Sequence, residues 1–119
     1  MNKFKIELDE EQLTIIQKSL DFYSRINLGQ LTELTNPYMV SLPDANYNNI
    51  EDLLMNLKTQ MFPTLPEKSY FSIRSKQISE PIRQAVDIFE TINYVLNPEK
   101  NKPFHWSTEK DLPNIDILI

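Results

Sequence analysis

The chain has no cysteine, a single glycine, a single histidine and a single tryptophan among its 119 residues. Without cysteine there can be no disulfide, no thiolate metal site and no cysteine nucleophile, which suits a reducing, cytoplasmic setting. One glycine rules out the phosphate-cradling G-x-G-x-x-G and G-x-x-x-x-G-K loops, each of which needs at least two. One histidine, His105, rules out any site built on a histidine pair and leaves carboxylates as the main candidates for holding a metal. Positive charge is also short. The net charge is −5 and the pI about 4.8, which excludes nonspecific adhesion to nucleic-acid backbones. No apolar run approaches the roughly 18 residues of a membrane span, and the charged opening MNKFKIELDEEQ does not read as a signal peptide.

What is present is amphipathic periodicity. At this length one domain, 1–119, is expected, and it buries about two-thirds of the surface exposed by the unfolded chain. The longest periodic run is Asp9 to Thr35. Asp9 is positioned to cap it, with Gln12 as reciprocal partner three residues on. Leu13, Ile16, Leu20, Tyr23, Asn27, Leu31 and Leu34 form one stripe, and Ile15, Phe22, Ile26 and Gly29 fall on the opposite side. A long helix that is apolar on two sides has to be covered twice, by its own chain or by a second copy.

Gly29 lies inside this run, where glycine costs roughly 1 kcal/mol relative to alanine. Either it marks close packing or a break that splits the run, or the missing side chain leaves a notch beside Arg25 that an anion or a partner can approach.

Three segments carry strand patterns. Lys3 to Leu8 alternates Phe4, Ile6 and Leu8 with charged residues; Ser69 to Ser75, SYFSIRS, has strand composition; and Ile115, Ile117 and Ile119 alternate near the C-terminus. Two further helices are expected. One begins near Asn48 or Asn49 and carries Ile50, Leu53, Leu54, Leu57 and Met61; the other opens at Ser79-Glu80-Pro81 with the stripe Ile82, Val86, Phe89, Asn93 and Leu96. The fold class read from this pattern is α+β, three main helices around the long N-terminal one with a small, mostly antiparallel sheet. Asn27 and Asn93, each in an apolar seam, are expected either to pair and fix register or to share a polar pocket.

Catalytic constellations are not apparent. A Ser-His-acid triad would have to recruit His105 from the tail with no G-x-S-x-G elbow. The adjacent acids Glu10-Glu11 and Glu51-Asp52, and the pair Asp87 and Glu90, read as capping and solubility features before they read as metal ligands. Neither a metal nor a cofactor is expected. Arg25 with Asp21 and Arg83 with Asp87 have the spacing of helical ion pairs, which leaves Arg74 as the arginine least easily assigned to structure. Phe104-His105-Trp106 is suited either to stacking on a flat ligand or to latching the tail on the body. The loop Tyr38 to Asn48, with Tyr38 and Tyr47, is too apolar to be a freely solvated linker.

The segments LDEEQLTIIQKSLDFYSRINLGQLTEL, ISEPIRQAVDIFETINYVL and PFHWSTEKDLPNIDI, taken together, resemble a family of small, mostly uncharacterised phage and prophage proteins. That family combines a capped helix carrying S/A-R-I-x-x-G-Q with a later helix and a tail ending in L-P-x-I. The resemblance covers about half of the chain, falls here on Arg25, Ile26, Gly29 and Gln30 and on Leu112, Pro113 and Ile115, and brings no catalytic motif. It implies a phage-type protein that acts by binding in the host cytoplasm. Its first form is a homo-oligomeric sponge that sequesters a nucleotide-like immune signal through Arg25, Gly29, Gln30 and Arg74. Its second is an inhibitor or adaptor of a host protein through Tyr38, Tyr47 and Trp106, and a small metal-dependent hydrolase is the remote third.

Overall fold

The computed structural model describes residues 1–41, 47–66, 68–99 and 102–118, and at 47 and 48 the backbone only. Helix α1 spans Glu10–Asn27, a short 3-10 turn follows at Leu31–Thr35, α2 spans Tyr47–Met61, and α3 spans Glu80–Leu96. The start of α1 is the expected capping box: the Gln12 N–H donates to Asp9 Oδ1 at 2.8 Å, and the Asp9 N–H donates to Gln12 Oε1 at 3.0 Å. Glu10 and Glu11 then place negative charge at the positive end of the helix dipole.

The periodic run Asp9 to Thr35 does not form one helix. Gly29 adopts φ +89°, the Gly29 N–H donates to Ile26 O at 3.1 Å, and the Gln30 N–H reaches back to Arg25 O at 2.9 Å. These two bonds make a Schellman stop, which uses a left-handed residue to satisfy carbonyls that the ending helix leaves free. A Cβ on Gly29 would lie 2.7 Å from Leu65 Cδ2, so close packing and the break occur at the same residue.

Helix α1 packs along α3. Ser24 is buried on α1, and Ile82, Ala85, Asp87, Thr91 and Ile92 are buried on α3. The buried line of α1 is rotated from the expected stripe, since Tyr23 and Asn27 are exposed and Ser24 occupies the seam. Asn27 and Asn93 accordingly do not pair. Gln17 Nε2 donates to Asn93 Oδ1 across the helices at 3.1 Å, while Asn27 Nδ2 turns back to Tyr23 O at 2.8 Å. Helix α2 packs on the 3-10 turn and, among the described residues, makes no contact with α1 or α3. Its Leu54 is buried beside the buried Leu31 of the turn's own segment.

The expected α+β class is incorrect: the described residues contain no strand and no sheet. Where the backbone hydrogen bonds go explains why. In the segment 69–75 they close local turns, from Ser69 N to Pro66 O and from Ser75 N to Ser72 O, and one bond, from Phe71 N to Leu28 O at 2.8 Å, goes to the end of α1. Phe71 then meets Phe62 edge-on, with ring centroids 5.7 Å apart. The arm at 3–8 forms no strand, and its Phe4 and Ile6 stay 87% and 74% exposed. In the tail, the N–H groups of residues 104 and 106–109 bond to side chains of α3, and residues 115–118 form no strand; Ile119, the last residue of that expected strand, lies outside the described residues.

No helix among the described residues is long and apolar enough to cross a membrane.

Candidate functional site

The Schellman turn builds the first candidate site. Because it reverses the chain at Gly29, Gln30 is carried over the last turn of α1, and Arg25 Nη1 lies 3.4 Å from Gln30 Oε1. Arg25 is then occupied by carboxylates: its Nε donates to Asp21 Oδ1 at 2.9 Å, and Nη1 stands 3.3 Å from Glu33 Oε1. The Asp21 hydrogen bond pushes the guanidinium pKa up, against the opposing effect of burial, and the charges of Asp21 and Glu33 add to the rise. Two acids around one half-buried arginine leave no positive excess for an anion, so Arg25 fastens the 3-10 turn to α1.

On the far side of Gly29 lies a groove of about 270 Å³, walled by Gly29, Gln30, Leu54, Lys58, Lys68 and Tyr70. Lys58 is buried among apolar neighbours, 8% exposed, and its Nζ donates to the Ser69 carbonyl. The expected Gly29 and Gln30 are thus brought together, with Lys58 and Lys68 in the place of arginines. Sequence reading passed over these lysines. The available signal was Lys58 standing four residues after Leu54, on the inward side of α2, where a lysine is seldom placed unless its ammonium has a partner.

Arg74 lies elsewhere. Its guanidinium carbon sits 5.2 Å from the centre of the Trp106 ring, which also stacks on Phe104 at 4.8 Å between centroids. This is the tail latch, and carboxylates dominate it. Asp87, 2% exposed, accepts from the Trp106 N–H at 2.6 Å and the Ser107 N–H at 3.0 Å. Glu80 accepts from Ser107 Oγ, from the Thr108 N–H at 2.8 Å and from the Glu109 N–H at 3.1 Å. Glu90 accepts from the Phe104 N–H at 2.8 Å. The Ser107 hydroxyl and the two N–H groups hold the Glu80 carboxyl below its ordinary pKa, against the opposing effect of desolvation. Asp87 and Glu90, considered above as metal ligands, are therefore committed to the tail's own backbone.

The remaining candidates are dispersed. Tyr38 is 83% exposed; Tyr47 opens α2, and its side chain, like most of the loop that joins the two, lies outside the described residues. Arg83 pairs with Glu80 at 3.8 Å and donates to Ser75 O at 2.8 Å, which ties the 73–75 turn to α3 instead of pairing with Asp87. His105 Nε2 lies 2.6 Å from Lys110 O and 3.7 Å from Asp87 Oδ2, contacts that belong to the tail latch.

Comparison with family models, with curated proteins and with solved structures finds no match.

Proposed function

We propose that the chain is a non-enzymatic binding protein that captures a small anionic, nucleotide-like ligand in the groove beside Gly29. The observation that carries this reading is that Lys68, Gln30 and Tyr70 line one mostly apolar groove, while Lys58, held by the Ser69 carbonyl, adds its charge to the same wall. Ammonium groups suit phosphate as point charges, and Tyr70, 62% exposed, offers a ring to a flat base. At about 270 Å³ the groove is at the small end for ligand sites, which fits part of a mononucleotide better than a large ligand. In the phage-type setting that the resemblance implies, such capture would sequester a nucleotide signal.

Native mass spectrometry with a mononucleotide panel tests the reading. One ligand per site should be retained, and Lys68→Ala should release it while Arg25→Ala keeps it. If no nucleotide shifts the mass or the melting temperature, the capture reading fails.

A second reading, inhibition or adaptation of a host protein, is favoured by Tyr38. Its ring is 83% exposed although its backbone N–H is fixed by Asn36 Oδ1 at 3.0 Å, so the ring is presented in a held turn. A purified host partner whose binding survives Tyr38→Ser would count against it.

A further inference from the structure

Helix α2 and the N-terminal arm both carry exposed apolar stripes that no other described residue covers. On α2, Leu53, Leu57 and Met61 are 66%, 46% and 49% exposed; on the arm, Phe4, Ile6 and Leu8 are 87%, 74% and 39% exposed. We infer that the arm of one copy docks along α2 of a second copy, Phe4 on Leu53, Ile6 on Leu57 and Leu8 on Met61.

The spacings agree. Side chains four residues apart on a helix are about 6 Å apart along its axis. Alternate side chains of an extended chain are about 6.6 Å apart. Three anchors on each element therefore stay in register over the whole contact, which two or three more on either would not.

The direction follows from charge. Lys3 and Lys5 flank Phe4, and Asp52 precedes Leu53. A parallel arrangement brings this locally basic arm against the acidic start of α2, in a chain of net charge −5, whereas the antiparallel one would set Glu7 there.

Reach makes the partner a second copy. The middle of α2 lies by Gly29, since Leu54 and Gly29 wall the same groove, and Gly29 is just past the C-terminal end of α1. The arm is rooted at Asp9, the other end of that 18-residue helix, about 27 Å away. From Asp9 back to Phe4 a fully extended chain spans about 17 Å. Phe4 thus stops short of Leu53 of its own chain, the position this register requires, and reciprocal exchange between two chains satisfies both stripes with a closed, two-fold arrangement.

The natural absence of cysteine makes a direct test available. Chains carrying only Phe4→Cys are mixed with chains carrying only Leu53→Cys and oxidised mildly. A disulfide-linked heterodimer is expected, and a control pairing Phe4→Cys with Ile15→Cys, an equally exposed position of α1, should give none. Light scattering with size exclusion should report a dimer or larger assembly for the unaltered chain. Phe4→Ser with Ile6→Ser should weaken it about a hundredfold, as loss of two anchors does, and circular dichroism checks that helix content is kept. Lys3→Glu with Lys5→Glu should weaken assembly, and adding Asp52→Lys should restore it. A monomeric mass throughout the micromolar range overturns the inference, and so does an assembly that the arm substitutions leave unchanged.

Discussion

Replacing Gly29 by alanine separates two structures that the same sequence permits, because they predict opposite signs. Inside a continuous helix from Asp9 to Thr35 the change would stabilise the protein by about 1 kcal/mol through helix propensity. In the turn described here Gly29 has φ +89°, where an L side chain costs about 1–2 kcal/mol. The new Cβ would also lie 2.7 Å from Leu65 Cδ2, and moving that side chain off its rotamer adds about 0.5–1.5 kcal/mol. Reduced freedom of the unfolded chain returns about 0.4–1 kcal/mol. The net expectation is a loss of about 1.5 kcal/mol. With a urea slope of about 1–3 kcal/mol per molar, the unfolding midpoint falls by about 0.5–1.5 M. Repeating the change in a Leu65→Ala background removes the overlap and leaves the torsional cost, so the second step should be smaller than the first. A midpoint that rises on Gly29→Ala would refute the turn.

Three further expectations concern the latch and the arginine. Asp87→Ala leaves the N–H groups of Trp106 and Ser107 without their acceptor and should cost about 3 kcal/mol, with Asp87→Asn milder because one oxygen remains; amide exchange at 106 and 107 reads the loss. Glu80 has a depressed folded-state pKa, so its contribution is fully present above the ordinary carboxylate range, about 4.3, and is lost as the pH falls through the lower folded value. Emission from Trp106, the lone tryptophan, should report release of the tail in that acid window, and Glu80→Gln should flatten the response. Arg25→Ala should cost only about 0.5–1 kcal/mol, and less at high salt, because its side chain is 43% exposed and its ion pairs are screened. An equal loss of nucleotide retention in that variant would move the binding site back to Arg25.

The cap at Asp9 and the existence of three helices were legible in the residues because each depends on neighbours within a few positions, whereas the residues around Gly29 left a continuous helix and a stop both open. Capping needs Asp9 and Gln12 three apart, and a helix face needs only its own period. The sheet was misread for a physical reason. An alternating run states that one face seeks cover, but a strand exists only where a second strand supplies hydrogen bonds, and that partner is not written in the run itself. At 69–75 the bonds closed local turns and one reached Leu28; at 3–8 and at 115–118 no second strand is present among the described residues.

The candidate site divides in the same way. That Gly29 and Gln30 stand together follows from adjacency in the sequence. Only the tertiary structure decided that Arg25 faces Asp21 and Glu33, that Arg74 lies over Trp106, and that Lys58 and Lys68 line the groove. Charge pairing over long sequence separations depends on where the turn after α1 sends the chain. The sequence by itself determined that there are three helices and where the first begins, since those are short-range hydrogen-bond problems; the fold decided where the first helix stops, which charges are paired and which apolar stripes stay exposed, since those depend on how distant segments meet.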